Sequence, residues 1–396
     1  MSWRATASER SSRADAAVRP FGGPAVRPSD RLAALDVFRG LTVAAMILVN
    51  NPGSWSAVYP PLRHAAWHGW TPTDLVFPFF LFIVGITTHL SIAARRVRGA
   101  SDRQIAGRIV RRALLIIALG LLLSAFPFFP ADRITHLRIP GVLQRIGVAY
   151  LVAAPLVLRT TPRVQVGVIT AILAGYWLLL TRVPVPGLGR AALEPPDATL
   201  AAWLDRLVLD GHLWAVTRTW DPEGILSTIP AVATTLVGAL AGRAVAPDRQ
   251  RLGWLAGWGA VTCVAGLAWA AAFPINKNLW TSSYVLFTAG AAALVLAACI
   301  RLFRHGAGRW AEPFVVFGVN PITAFVGSEA LARLMYSVIR VPYGGETVSL
   351  QQAIHRAVFA SWLPDRPASL AFAVAVVLLW YVVLRALRTR GIILRI

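Results

Sequence analysis

The sequence predicts an all-α fold, a polytopic integral membrane helical bundle with about ten transmembrane helices. Of the 396 residues, 56% are hydrophobic and only 14% are charged, and the mean hydropathy is +0.60. This composition leaves too few polar side chains to cover a soluble globule of that length. Long apolar runs recur along the chain, and none has the apolar/polar alternation that is typical of membrane barrel strands.

The first 31 residues differ from the rest of the chain. They are polar, rich in Arg, Ser and Pro, and contain no apolar core of the kind that a cleaved secretory signal requires. Such a composition is typical of disordered segments. We therefore expect a disordered cytoplasmic tail over residues 1–31, followed by a single integral membrane domain over residues 32–396.

Ten apolar runs follow this tail. A helix needs about 20 residues to cross about 30 Å of hydrocarbon, and a backbone in lipid must satisfy its own hydrogen bonds, so each run is predicted to be helical. The predicted spans are 33–50, 73–94, 110–129, 141–158, 165–181, 224–243, 253–273, 281–300, 313–338 and 368–388. One long connection, 182–221, carries the turn-forming stretches PVPGLG and EPPD.

The formal charge of +21 is spread over alternate connections between the predicted helices. It does not form one basic patch of the kind that binds nucleic acid. The arginines concentrate in the tail and in every second connection, over 95–112, 159–163, 243–251, 301–309 and 385–395. Because loops rich in Arg stay in the cytoplasm, both termini are predicted to be cytoplasmic, and no nucleic-acid partner is expected.

Most of the unusual polar residues then fall at the outer end of the bundle. A charge at the bilayer centre costs roughly 2.5–3.5 kcal/mol even on the mildest scale, so such residues pair or carry function. The outer set comprises Asn50, His64, His68, Asp74, Gln144, Arg145, Asp221, Glu223, Asn276, Lys277, Asn278 and Glu329. The sequence therefore predicts a polar site at this end.

The first predicted helix carries a polar stripe. Asp36, Arg39, Val43 and Asn50 fall within about 60° of one another at helical spacing. Asp36 and Asn50 are about 21 Å apart along the axis, so the stripe predicts a route through the bundle with a basic residue near its inner mouth. Asp36 and Arg39 are also spaced to form a buried pair that neutralises itself.

His64 is the strongest candidate for chemistry, because an imidazole serves as nucleophile or general base near neutral pH without a metal. Packing beside Trp67 and Trp70 is the alternative. His68 follows four residues later and would share a helical face with His64, but no HExxH pattern accompanies the pair, so no metal site is predicted.

Other polar residues can be interpreted as structural or as functional residues. Asp74 either caps the second helix or orients His64, and Asp221 and Glu223 suit a helix start, with Pro222 at its first turn. Lys277 is the only lysine of the chain. It is either an exposed loop cation or a group that binds an acceptor or a phosphate.

Between residue 31 and about residue 330 the chain carries six motifs, in the order LDVFRGLTVAAMILVNNPG, HAAWHGWTPTDLVFPFFLFIVGI, RIPGVLQRIGVAYL, WDPEGILSTI, NKNLWTSSYV and GVNPITAFVGSE. Together they resemble the heparan-alpha-glucosaminide N-acetyltransferase family of integral membrane acyltransferases. The resemblance implies transfer of an acetyl group from cytoplasmic acetyl-CoA to an amino sugar on the opposite side. It identifies His64, the first histidine of its block, as the catalytic residue and Asn50 as an active-site residue.

On this basis we expect three groups of site residues. The expected catalytic residues are His64, Asn50 and Asp74. The residues expected to bind acetyl-CoA are Arg39, Arg111, Arg112 and Asn320. The residues expected to bind the acceptor or the developing oxyanion are Arg145, Gln144, Asp221, Glu223, Asn276, Lys277 and Glu329. No metal is expected.

The Arg and Ala bias and the compact length resemble those of a bacterial homologue, which implies the cytoplasmic membrane, lipid contact and an amino sugar of the envelope as acceptor. A homodimer is compatible with the sequence. The alternative function is transport of a sugar or an anionic solute, which would place the site near the membrane midplane, often with inverted repeats and broken helices. The outward skew of the polar residues favours the acyltransferase.

Overall fold

A computed structural model describes residues 28–130, 132–245, 249–303, 308 and 310–393 of the chain. Most of the predicted tail, residues 1–27, lies outside the described residues. The first helix begins at Pro28, so residues 28–31 belong to it and not to the tail.

The described part of the chain is a bundle of α-helices, which confirms the predicted fold class. The α-helices are α1 (Pro28–Asn50), α2 (Val76–Val97), α3 (Asp102–Ala125), α4 (Asp132–Thr135), α5 (Val142–Arg159), α6 (Pro162–Arg182), α7 (Leu200–Leu209), α8 (Ile225–Ala244), α9 (Arg249–Trp269), α10 (Ser282–Leu302), α11 (Glu312–Val319), α12 (Pro321–Arg333), α13 (Leu350–Ile354) and α14 (Asp365–Thr389). Single π-helical turns follow α12 and α13, at Leu334–Val338 and His355–Phe359.

Within the described ranges, eight helices are long and apolar enough to cross a membrane, and α11 with α12 makes a ninth if the bent pair is one span. The third predicted span, 110–129, corresponds to α3, which is not among these helices. α3 is 24 residues long, but Arg108, Arg111 and Arg112 lie within its last 18 residues. α3 packs against α5 and so lies within the bundle.

Short connections make successive helices antiparallel, which gives the bundle two ends. We call one the basal end; it holds the start of α1, the α2–α3 and α5–α6 turns and the end of α14. There Arg96 pairs with Asp102 at 3.1 Å and donates a hydrogen bond to the carbonyl of Leu158 at 2.6 Å. The opposite end, where α1 ends at Asn50, is the site end.

Glycines allow α1 and α11 to pack in backbone contact. A Cβ on Gly40 would lie 1.7 Å from the carbonyl oxygen of Phe314, and one on Gly318 would lie 2.0 Å from the carbonyl oxygen of Asp36. No side chain fits either gap. The contact fixes the start of α1 against α11 and so positions the polar stripe of α1.

Three features of the chain differ from the prediction. The ninth span is bent by 83° between α11 and α12, at Asn320–Pro321, because the residue before a proline avoids the α-helical conformation. The connection 182–221 contains the amphipathic helix α7. A β-hairpin lies between α12 and α13 at the site end; in it, β1 (Arg340–Tyr343) pairs antiparallel with β2 (Glu346–Ser349).

Candidate active site

A cavity of about 1520 Å³ extends along the interior of the bundle. Its basal part is lined by Asp36, Arg39 and Arg112, and its part at the site end by Asn50 and His64. Because one helix, α1, contributes both Asp36 and Asn50, the cavity follows the length of that helix. The arrangement is a passage between the two ends of the bundle.

The segment between α1 and α2 lies at the site end of this passage, which we call its mouth, and carries His64 in irregular backbone. A short helical turn, Pro72–Leu75, ends the segment. Thr71 caps this turn, and Asp74 accepts hydrogen bonds from the backbone N–H groups of Thr71 and Ala65, both at 3.0 Å. The carboxylate of Asp74 therefore fixes the fold of the loop that holds His64.

The same carboxylate also orients the imidazole. Oδ1 of Asp74 lies 2.6 Å from Nδ1 of His64, and the Asp74 side chain is only 1% exposed whereas that of His64 is 48% exposed. With the carboxylate accepting the Nδ1–H proton, Nε2 of His64 keeps its lone pair, and the nitrogen that lies nearest to it is Nζ of Lys277 at 3.2 Å. Asp74 thus contacts both the turn before the second helix and the imidazole, and the result is a His–Asp pair with a half-exposed imidazole.

Lys277 stands beside this pair. Its Nζ atom lies 3.2 Å from both ring nitrogens of His64 and 4.0 Å from Oδ1 of Asp74. The Lys277 side chain is only 16% exposed. Burial lowers the pKa of Lys277, and Glu223 and Asp74 offset part of that effect. Lys277 is therefore a partly buried loop residue in contact with the imidazole, not an exposed one.

Asn50 reaches the passage from the end of α1. Its Nδ2 donates a hydrogen bond to Oε1 of Glu329 on α12 at 3.1 Å, and both side chains line the cavity. An amide nitrogen has two hydrogens. The second hydrogen of Asn50 remains for a group in the cavity.

A second charged group borders the mouth. Arg138 donates to Oδ2 of Asp221 at 2.8 Å and pairs with Glu223 at 2.6 Å. Burial lowers the pKa of Arg138, but the two carboxylates outweigh it and the pKa is raised. Burial has the opposite effect on the carboxyl of Glu223, whose pKa it raises. The positive charges of Arg138, Arg145 and Lys277 outweigh this effect and bring the pKa of Glu223 below its ordinary value. Asp221 and Glu223 thus pair with Arg138. They lie before the first turn of α8, which begins at Ile225 after the N-cap residue Gly224.

Comparisons with known proteins show the family of this chain. The family model described as "Heparan-alpha-glucosaminide N-acetyltransferase, catalytic" matches residues 31–272. The chain belongs to this family. Within it, the chain is similar to the heparan-alpha-glucosaminide N-acetyltransferases of Homo sapiens, 33% identical over 354 residues, and of Mus musculus, 32% identical over 361 residues.

Each alignment takes in 76% of this chain but only 53% of the human protein and 54% of the mouse protein. The chain therefore spans about half the length of the curated relatives that it matches. The family model covers the loop with His64 and Asp74 and the segment with Arg138, Asp221 and Glu223, and it ends before Lys277.

At the basal end, only two of the four residues expected to hold acetyl-CoA line the passage. Arg39 pairs with Asp36 at 3.0 Å and donates to the carbonyl of Gly318 at 2.9 Å. Arg112 lies over the ring of Tyr150, with 5.3 Å from its guanidinium carbon to the ring centroid. The Nε atom of Arg112 is buried and has no hydrogen-bond partner among the described residues.

The other two residues lie elsewhere. Arg111 is exposed and does not line the passage, because it precedes Arg112 on α3 and points about 100° away from it. Asn320 is buried at the bend between α11 and α12, where its Nδ2 donates to the carbonyl of Ile392 at 3.1 Å. It does not line the passage either.

Three of the residues expected to bind the acceptor make contacts within the protein, behind the residues that line the passage. Arg145 is buried between the rings of Phe77 and Trp280 and donates to the carbonyl of Pro222 at 2.8 Å. The side chain of Gln144 donates to Ser124. Asn276 accepts the backbone N–H of Leu279 at 2.8 Å and so shapes the turn that carries Lys277. None of the three lines the passage.

His68 does not share a helix with His64, because the loop is irregular. Its Nδ1 meets Asn276 at 3.3 Å and its Nε2 lies 3.5 Å from Glu194. In the described part of the chain, no group of three or more His, Cys, Asp or Glu side chains is arranged to hold a metal.

Three contributions to the site end are not identified from the sequence. Arg138 is not among the expected site residues, because it is one of several arginines in the connections of that end. Two aromatic rings that line the cavity, Trp214 and Trp220, are not among them either. Asp205 also escaped notice: it accepts the backbone N–H of Ile225 at 3.0 Å, and burial raises its pKa to about 6.

Proposed function

We propose that this protein is a transmembrane acetyltransferase that moves an acetyl group from acetyl-CoA, bound from the basal end, to an amino sugar at the site end. Family membership supports the reaction class. The observation that carries the proposal is the His64–Asp74 pair at the mouth of a passage whose other end is lined by Arg39 and Arg112. Such a passage suits a long donor with an anionic head and a thioester tip.

The basal end is the cytoplasmic side in this proposal, because the Arg-rich connections gather there. Arg112 lines the passage and lies over the ring of Tyr150, and a guanidinium suits paired hydrogen bonds to phosphate oxygens. Arg39 is already paired with Asp36 and contributes less net charge. The pantetheine arm of the donor extends along α1 toward Asn50.

The chemical step uses His64 as a general base. The amine nitrogen of the acceptor attacks the thioester carbonyl carbon while Nε2 of His64 removes a proton from the amine. The C–S bond then breaks, and the CoA sulfur leaves with a proton returned by the imidazolium. Asp74 holds the Nδ1–H tautomer and stabilises the imidazolium as it forms.

Two groups are placed to stabilise the oxyanion of the tetrahedral intermediate. Lys277 carries its ammonium beside the imidazole, and Asn50 has an amide hydrogen that Glu329 does not use. A donor of this kind contributes about 3 kcal/mol to the transition state in other enzymes. Glu223 and Arg138 border the mouth and are available to hydroxyl groups of a sugar.

The test is direct. Purified protein in detergent is given acetyl-CoA with a labelled acetyl group, together with glucosamine, and labelled N-acetylglucosamine is measured. We expect His64→Ala to abolish product formation and His68→Ala, a histidine of the same loop that does not line the passage, to retain it. Turnover by the His64→Ala protein would overturn the proposal. Label retained on His64 when the acceptor is omitted would replace the general-base step with a covalent one.

One observation favours the second candidate, a transporter. The span formed by α11 and α12 is broken and bent by 83°, which is typical of transporters whose sites lie at helix breaks. The break lies at the basal part of the passage, where Val319 and Pro321 line it, whereas His64 and Lys277 line its part at the site end. Uptake of glucosamine into proteoliposomes without acetylation would favour the transporter.

A further inference from the structure

A second cavity, of about 530 Å³, lies at the basal end in the turn between α2 and α3. It is lined by the side chains of Arg95, Arg98, Gln104 and Arg108 together with Gly99 and Ala100. None of these residues lines the passage that contains His64. The cavity is therefore separate from the candidate active site.

The turn brings the arginines together from two helices. Arg95 belongs to the last turn of α2 and Arg98 directly follows that helix, while Arg108 lies one turn after Gln104 on the same face of α3. Gly99 has a φ of +79°, and a Cβ built there would meet nothing within 4 Å. The sharp turn thus leaves the cavity open between the helices.

The charges of this cavity are not neutralised by the protein. Arg95 donates only to Ser91, at 3.3 Å, and no carboxylate lies within ion-pair distance of Arg98 or Arg108 among the described residues. The neighbouring Arg96 behaves differently, because it pairs with Asp102 outside the cavity. Three guanidinium groups that face one cavity without a carboxylate repel one another unless an anion lies between them.

The apolar residues of α3 beside the cavity indicate what kind of anion it binds. On α3, Leu115 and Leu122 lie on the same face as Gln104 and Arg108, farther from the basal end, and their side chains are 44% and 55% exposed. In a membrane protein such side chains face hydrocarbon. A ligand that fits both features has an anionic phosphate head and apolar chains.

We propose that the cavity lined by Arg95, Arg98 and Arg108 binds the phosphate headgroup of an anionic phospholipid, whose acyl chains lie along the exposed apolar face of α3. Arginines suit this ligand because the planar guanidinium donates two parallel hydrogen bonds to phosphate oxygens. Basic pockets between membrane helices bind such headgroups on the cytoplasmic side. The site is independent of the acetyl transfer proposed above.

The experiment titrates full-length protein in detergent with phosphatidylglycerol or phosphatidylcholine and counts bound lipid by native mass spectrometry. Wild-type protein is expected to bind phosphatidylglycerol in preference to phosphatidylcholine. The double variant Arg98→Gln/Arg108→Gln should lose about tenfold in that affinity. The matched control Arg103→Gln/Arg163→Gln removes the same charge from exposed basal arginines that do not line the cavity, and it should bind as the wild type does. The variant Arg98→Lys/Arg108→Lys keeps the charge but not the paired hydrogen bonds, so its affinity should lie between those of the wild type and the Gln variant.

Four results would overturn the proposal. One is an equal loss of binding in the matched control, which would mean that net charge alone attracts the lipid. Another is equal binding of the two lipids. Displacement of phosphatidylglycerol by equimolar inorganic phosphate would mean that the site takes a free anion. A weakened affinity for CoA in the Arg98→Gln/Arg108→Gln protein would assign the cavity to the acetyl donor instead.

Discussion

Nδ1 of His64 lies 2.6 Å from the buried carboxylate of Asp74, and the second oxygen of that carboxylate accepts the backbone N–H groups of Ala65 and Thr71. One side chain therefore fixes the loop that carries the imidazole, its orientation and its tautomer. The backbone bonds occupy the oxygen that does not contact His64. Both oxygens of the Asp74 carboxylate are therefore used.

The first prediction concerns Asp74→Asn. The two backbone donors require an oxygen, so the new amide would turn its Nδ2 toward His64, where it donates to Nδ1 and forces the proton onto Nε2. His64 then lacks its free lone pair. We expect kcat to fall by about a thousandfold or more, as it does when the buried aspartate of a serine-protease triad is changed to asparagine. Steady-state kinetics with acetyl-CoA and glucosamine measures this, with Asp197→Asn, the same substitution at an exposed aspartate, as the control. A variant within tenfold of the wild type would contradict the tautomer argument.

The second prediction concerns the pH dependence of Lys277. Burial lowers the pKa of this ammonium, so Lys277 loses its proton at a lower pH than an exposed lysine, whose pKa is about 10.4. If the cation stabilises the oxyanion, kcat/KM falls as the pH rises through the lowered pKa. Lys277→Arg stays charged and should move this alkaline fall to higher pH, whereas Lys277→Met should lower the activity and remove the fall. Identical alkaline limbs in the wild type and Lys277→Arg would exclude Lys277 as the titrating group.

The third prediction separates two adjacent arginines. Arg112 lines the passage and stacks on Tyr150, whereas Arg111 is exposed and does not line it. A hydrogen bond to a charged group contributes about 1.5–3 kcal/mol, so Arg112→Gln should raise the KM for acetyl-CoA about tenfold or more. Arg111→Gln removes the same charge one residue earlier and should leave this KM unchanged. Equal effects of the two variants would mean that α3 attracts the donor only through its net charge.

The fourth prediction tests the charged group at the mouth. Arg138→Gln leaves the buried carboxylates of Asp221 and Glu223 without their partner, which costs about 3–5 kcal/mol. We expect a clear fall in the thermal unfolding temperature of the detergent-solubilised protein, and a partial recovery in Arg138→Gln/Glu223→Gln. The exposed Arg190 is the control, and Arg190→Gln should unfold as the wild type does. Unchanged unfolding of Arg138→Gln would show that the two carboxylates do not need this ion pair.

The sequence predicts the spans well because hydropathy reports length and composition directly, and nine of the ten predicted runs correspond to helices or a bent pair that are apolar enough to cross a membrane. It does not predict the bend at Asn320, although the Asn–Pro pair there is a turn signal, because the apolar run continues through it. α7 was missed since its ten residues are too few to cross a membrane.

At the site, contacts between residues that are close in the sequence could be predicted, and contacts between distant residues could not. Asp74 could be weighed as a partner of His64 because the two residues are ten positions apart on one loop. Arg138 and its carboxylates are separated by 83 and 85 positions, and Asn50 and Glu329 by 279, so no local pattern links them. The burial of Arg145 between two rings is likewise a product of packing among α2, α5 and the turn before α10.

The central claim is that an acetyl group passes between the two ends of the bundle and is transferred at His64. Proteoliposomes in which the basal end of the protein faces outward test it most directly, with labelled acetyl-CoA outside and glucosamine inside. We predict labelled N-acetylglucosamine inside the vesicles for the wild type and none for His64→Ala. Product formed only when the donor and the acceptor are on the same side would contradict the claim.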